Sequence, residues 1–84
     1  MDAQQLAEAS AAAMWAGDRA GQALAMKIEA VAPGTASLSM AVREDMVNGH
    51  GICHGGFIFT LADTAFAYAC NSQNHRAVAA GARI

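Results

Sequence analysis

Residues Ala3 to Trp15 place Leu6, Ala9, Ala13 and Met14 at mostly helical spacing with Gln and Glu between them, and Gly17 supplies a stop. The pattern predicts a short amphipathic helix over 2–16. The period then changes. From Gly21 to Val31 the order Leu24, Met26, Ile28 alternates as in a strand, and Pro33-Gly34 marks a turn. Beyond it Ala36, Leu38, Met40 and Val42 alternate with Thr35, Ser37, Ser39 and Ala41, the period of a half-buried strand. Together these segments predict a hairpin over about 21–43. Arg43-Glu44-Asp45 ends it in charge, and Asn48-Gly49-His50-Gly51 reads as an irregular loop within 44–54.

From about Gly55 to Ser72 there is no proline and no glycine after Gly56, which predicts a helix of about five turns, roughly 27 Å long. On a helical wheel Ile58, Ala62, Ala65, Phe66 and Ala69 share one face, while Phe57, Leu61 and Tyr68 carry the apolar surface far around the cylinder. A helix apolar nearly all round is a core helix wrapped by something else. Asn71-Ser72-Gln73-Asn74 is its polar stop, and 77–84 reads as the opening of another strand. The expected class is α+β.

Composition sharpens this picture. The 84 residues allow one domain and are 55% hydrophobic against 14% charged, too apolar for disorder and poor in charge for a small soluble surface. The expectation is a chain that hides apolar surface in an oligomer, or one shorter than the fold it represents. A net charge of −2 gives no footprint for a phosphate backbone, so no nucleic-acid partner is expected. Met1-Asp2-Ala3-Gln4 has an acid where a secretory signal carries Lys or Arg, so Cys53 and Cys70 are read as reduced and the location as cytoplasmic. Gly51 to Cys70 is the one stretch that imitates a membrane span. His54 and Asp63 near its middle argue for a buried helix and no membrane partner, since a central Asp costs about 2.5–3.5 kcal/mol on insertion.

Chemical content concentrates between Asn48 and Asp63. Asp63 is the only charged side chain between His54 and His75. A lone Asp on an amphipathic helix ordinarily escapes to solvent, but this helix lacks a polar face, which favours a site that solvates or pairs the carboxylate. Gly55-Gly56 present bare N–H groups at a helix start, where the dipole is positive and a carbonyl oxygen that becomes an oxyanion can bind. Taken alone, such glycines more often mark a turn or close packing. His54 before them can donate a hydrogen bond, cap the helix or sit in the core. Gly55 and Asp63 are eight residues apart, about 12 Å along one helix, and cannot both touch one carbonyl within one subunit. If they act together, the second comes from another chain, as a two-fold pairing of this helix provides.

The run Asn48-Gly49-His50, then Cys53-His54-Gly55-Gly56, then Leu61-Ala62-Asp63-Thr64-Ala65-Phe66-Ala67-Tyr68-Ala69-Cys70-Asn71-Ser72 resembles the hotdog-fold acyl-CoA thioesterases, in particular the phenylacetic-acid-degradation type. The likeness is dense over about 46–73, and His-Gly-Gly with an Asp nine positions after the His is its most specific part. The resemblance implies a hotdog fold, a long helix wrapped by a curved antiparallel sheet, of which this chain is the N-terminal part. It also implies acyl-CoA substrates such as phenylacetyl-CoA or hydroxyphenylacetyl-CoA, and homodimers or homotetramers with sites at the dimer interface. By the same resemblance the Gly55 N–H polarises the thioester carbonyl, His54 shapes that site, and Asn48 bonds to the thioester or a water. Asp63 then acts from the partner as nucleophile or general base. Thiolate is a good leaving group, so carbonyl polarisation and one carboxylate suffice and no metal or redox cofactor is called for.

Two departures qualify the likeness. Some relatives hold the attacking water with a Ser or Thr in the strand after the helix, where this chain reads Ala79-Ala80-Gly81-Ala82. The family's sheet also continues beyond Ile84, so the expectation is a truncated product or fragment, poorly stable or inactive alone. The rival readings are a non-enzymatic remnant serving as a binding or assembly piece, and a metal module built on His50, Cys53 and His54 with Cys70 or His75. The last fits no familiar zinc spacing. His75 and Arg76 are read most simply as solvated.

Overall fold

A computed structural model describes residues 1–73. The sequence readings on His75, Arg76, Ala79–Ala82 and the strand over 77–84 lie outside the described residues. Helix α1 (Ala3–Gly17) and a one-turn helix α2 (Arg19–Ala23) precede strands β1 (Lys27–Ala32) and β2 (Thr35–Ser39). A 3-10 turn (Glu44–Met46) and the long helix α3 (Gly55–Asn71) follow.

Helix α1 starts on a capping box. The Asp2 carboxylate accepts from the Gln5 N–H at 2.7 Å, and the Gln5 side chain accepts from the Asp2 N–H at 3.0 Å. Its packed face is set by Ala7 and Ala11, one turn apart and buried, whereas Ala9 and Ala13, expected on the inner face, are exposed. Alanine lies on every side of this helix, so the pattern alone does not orient it. Gln4 supplies the missing constraint by donating from Nε2 to the Val31 carbonyl of β1 at 2.8 Å.

The hairpin is shorter than the 21–43 expected, because Gly21–Ala23 belong to α2. Asp18 ends α1 through its N–H to the Trp15 carbonyl, and its carboxylate then caps α2 by accepting from Gly21 N–H at 2.8 Å. A capped Arg-Ala-Gly-Gln-Ala segment without a β-branched residue favours a helical turn over a strand. Helix α2 closes with Met26 N–H on the Gly21 carbonyl and Ala25 N–H on the Gln22 carbonyl, the paired bonds of a Schellman motif. Ala25 holds the left-handed position, at φ 54°, that glycine usually fills there. Strands β1 and β2 then pair antiparallel from Lys27↔Ser39 to Ala32↔Thr35, with Glu29 bulged out between Ile28 and Ala30. Gly34 turns the chain at φ 79°. Val42, expected on the inner face, lies beyond β2 and is exposed.

Helix α3 lies across the hairpin and α1 and is pinned toward its C-terminal end. Near its C-terminal end Ser72, buried, accepts from Gly34 N–H at 2.7 Å and donates to the Ala69 carbonyl at 2.8 Å. One turn back, Tyr68 is 1% exposed and its hydroxyl donates to Asp18 Oδ2 at 3.1 Å. The side of α3 so covered is that of Phe57, Leu61, Thr64, Tyr68 and Ser72. Ile58, Ala62 and Phe66, expected at the centre of the apolar face, point away from the chain's own elements, with Ile58 at 47% and Phe66 at 49% exposure. A helix that is apolar on both sides gives periodicity nothing to choose between, and polar anchors on Tyr68 and Ser72 make the choice.

Candidate active site

The segment leading into α3 is built as a small hairpin. Met46, fully buried, anchors its first limb. The His54 N–H donates to the Met46 carbonyl at 2.8 Å, Val47 bridges Cys53, and Asn48 N–H donates to the Ile52 carbonyl at 2.8 Å. At the tip the Gly51 N–H closes a turn on the Asn48 carbonyl at 3.0 Å with Gly51 at φ 77°, a conformation open to glycine. The Asn48 side-chain oxygen accepts from His50 N–H at 2.9 Å and Ile52 N–H at 3.2 Å. The irregular loop expected over 44–54 is thus a 3-10 turn followed by a locked hairpin.

His54 is the N-cap of α3. Its backbone is extended (φ −59°, ψ 135°), its carbonyl accepts from Phe57 N–H at 3.1 Å, and its exposed imidazole makes no cap hydrogen bond. Among the described residues, His54 is neither buried nor a side-chain cap. Gly55 and Gly56 are exposed, and a Cβ built on either meets no atom within 4 Å. Among the described residues, close packing does not require these glycines. What they leave open is the approach to the first N–H groups of a 17-residue helix, which have no intrahelical partners and stand at its positive end.

Asp63 lies two turns further on, half-buried at the edge of the exposed arc. Phe59, one turn before it, is 42% exposed, and Phe66 follows one turn after it. Among the described residues no hydrogen bond or ion pair reaches the Asp63 carboxylate. Nearby hydroxyls are committed elsewhere: Thr60 donates to the Gly56 carbonyl at 2.8 Å and Thr64 to the Thr60 carbonyl at 2.7 Å. The fold therefore gathers Asn48, His54 and Gly55 at one end of α3 and leaves Asp63 about 12 Å away along the same axis.

The Asp18–Tyr68 pair was not foreseen from the pattern. Its signals were Asp18 placed to cap Arg19-Ala20-Gly21, and a phenol in an otherwise apolar helix, which needs a partner when buried. Burial first, and then the Asp18 hydrogen bond and charge, push the Tyr68 phenol well above its ordinary range. The pair holds α3 rather than performing chemistry. Cys53 and Cys70 are both free thiols. Among the described residues no group of three or more His, Cys, Asp or Glu side chains is gathered to hold a metal ion. Nor is any described helix long and apolar enough to cross a membrane.

A thioesterase superfamily model matches residues 50–84, which include His54, Gly55 and Asp63. The acyl-coenzyme A thioesterase PaaI of Escherichia coli (strain K12) is 49% identical over 75 residues, covering 89% of this chain and 54% of that protein. The solved structure of the E. coli PaaI protein from the phenylacetic acid degradation operon superposes with a TM-score of 0.93 at 46% identity. That match covers 95% of this chain and 58% of that one. The chain takes up part of the hotdog fold of that protein. It spans about half the length of PaaI.

Proposed function

We propose that this protein, in its complete hotdog fold, hydrolyses acyl-CoA thioesters, with Gly55 of one copy and Asp63 of a second forming each site. The observation that carries the reading is the paired character of α3. Among the described residues, a helix start with no side-chain cap and no obstruction and a carboxylate with no partner sit on one helix, at a separation no single carbonyl can bridge. A two-fold arrangement in a homodimer, alone or within a homotetramer, brings each Gly55 toward the other copy's Asp63 and covers part of the exposed arc of Ile58, Ala62 and Phe66.

In that site the Gly55 N–H, reinforced by the helix dipole, hydrogen-bonds the thioester oxygen and stabilises the negative charge that grows on it as the tetrahedral centre forms. His54 walls the oxygen from the loop side. Asn48 reaches it, or a water, through Nδ2, because its Oδ1 is already bonded within the loop. Asp63 either takes a proton from the attacking water, whose oxygen bonds the carbonyl carbon as the CoA thiolate leaves, or attacks that carbon itself, expelling the thiolate and giving an anhydride that water then hydrolyses to restore the carboxylate.

An aryl-acetyl group such as phenylacetyl or hydroxyphenylacetyl is the acyl class proposed. It is supported by the operon of the PaaI relative and by Phe59 and Phe66, whose exposed rings flank Asp63 at helical neighbour spacing. A cytoplasmic location suits a CoA substrate and reduced cysteines. Release of free thiol from phenylacetyl-CoA, compared between wild type and Asp63→Asn, tests the reading. The expected loss is at least about a hundredfold in kcat. Turnover by the variant at the wild-type rate contradicts it.

A further inference from the structure

We propose that Asn48 is a positioning residue for the helix start, acting through the hairpin it locks, in addition to any contact with substrate. This rests on the thioesterase reading only for its consequence in catalysis.

The amide oxygen of Asn48 has two acceptor positions, and both are taken by backbone N–H groups of its own loop, from His50 at 2.9 Å and Ile52 at 3.2 Å. Two N–H donors facing one atom also identify that atom as the oxygen, so the end left to face a ligand is Nδ2, a donor. The same ring is closed by the main chain through Asn48 N–H to Ile52 and Gly51 N–H to Asn48. From Ile52 the chain has two residues left before α3. Cys53 bridges Val47 and His54 bonds the carbonyl of buried Met46, after which Gly55 begins the helix. The path from the side-chain oxygen to the Gly55 N–H is therefore a short ladder standing on a core anchor. Without the oxygen, the tip is left with the two main-chain bonds, Asn48 N–H to Ile52 and Gly51 N–H to Asn48, and the glycines on either side of His50 free its backbone to rearrange.

One residue so sets two things, and they separate by chemistry. Asn48→Asp keeps the acceptor oxygen and loses the Nδ2 donor, whereas Asn48→Ala loses both. The test is amide hydrogen exchange and the Gly55 amide resonance in the isotope-labelled intact protein without substrate, alongside kcat and KM for phenylacetyl-CoA. In Asn48→Ala, exchange at His50 and Ile52 accelerates at least about tenfold and the Gly55 resonance moves, while exchange inside α3 stays at the wild-type rate. In Asn48→Asp, protection and the Gly55 resonance return to wild type, but kcat stays low because the donor is gone.

Wild-type exchange and an unmoved Gly55 resonance in Asn48→Ala overturn the proposal. So does an Asn48→Asp protein whose Gly55 resonance is displaced, and that variant decides alone if Asn48→Ala does not fold. These spectroscopic readouts need no turnover. An inactive wild-type protein would therefore contradict the hydrolase reading and leave the positioning role to be judged separately.

Discussion

Tyr68→Phe removes one oxygen atom and keeps the buried ring, so it isolates the bond that ties α3 to the junction of α1 and α2. Hydrogen bonds to charged groups contribute about 1.5–3 kcal/mol, and the 3.1 Å separation from Asp18 Oδ2 is longer than the strongest hydroxyl–carboxylate contacts. The low end applies, and the variant is expected to be less stable by about 1.5 kcal/mol at neutral pH. The pH dependence carries more information. In the folded protein the phenol is pushed up, by burial first and then by Asp18, while in the unfolded chain it titrates near 10. A group whose folded value is raised contributes stability that is fully present below the unfolded value and is lost as pH climbs toward the folded one. Above pH about 10 the wild type thus loses about 1.4 kcal/mol per pH unit that Tyr68→Phe does not lose. The two stability curves are expected to meet about one unit above that point and then cross. Tyr68 is the only tyrosine in the chain, so tyrosinate absorbance reads its ionisation directly while denaturant unfolding reads stability. Parallel stability curves, or tyrosinate appearing in the folded protein near pH 10, would refute the reasoning.

Three further substitutions probe the frame that holds the site. Ala25→Gly relieves a left-handed alanine in the Schellman cap of α2, and denaturant unfolding should show a gain of about 0.5–1 kcal/mol. Gly21→Ala places a Cβ 2.8 Å from Asp18 Oδ2, on a carboxylate already held by Gly21 N–H and Tyr68. It should cost about 1–3 kcal/mol in the same assay. Ser72→Ala frees the Gly34 N–H from the end of α3 and should cost about 1 kcal/mol, with faster amide exchange at Gly34 as its local signature.

Element type was legible wherever the period was long and bounded. The stop at Gly17, the turn at Pro33-Gly34 and the uninterrupted run after Gly56 correspond to the end of α1, the β1–β2 connection and α3. Orientation was not legible, for one physical reason in two places. In α1 the alanines surround the helix, and in α3 apolar residues do. The inner face is then chosen by single polar contacts, Gln4 to Val31 and Tyr68 to Asp18, which join residues far apart in sequence. Helix α2 was missed because Leu24, Met26 and Ile28 imitate a strand while the cap at Asp18 acts one turn earlier. At the candidate site, residue types and spacing pointed to Gly55 and Asp63, and the family resemblance added Asn48 and His54. What they did not reveal was that the Asn48 oxygen is spent inside its own loop.

The central claim, a thioesterase site shared between two copies, is tested most directly by mixing two inactive variants. Asp63→Ala removes the carboxylate. Gly55→Pro removes the N–H while fitting the fold, because proline is well tolerated at the first helical position and His54 already has the extended backbone of a residue before proline. Among the described residues, nothing obstructs a side chain at Gly55. Denatured and refolded together in equal amounts, the two form mixed dimers in which one of the two sites pairs an intact Gly55 with an intact Asp63. Random assembly should restore about a quarter of wild-type hydrolysis of phenylacetyl-CoA, from two proteins that are each inactive alone. A mixture that forms mixed dimers and remains as inactive as its parents would contradict the account.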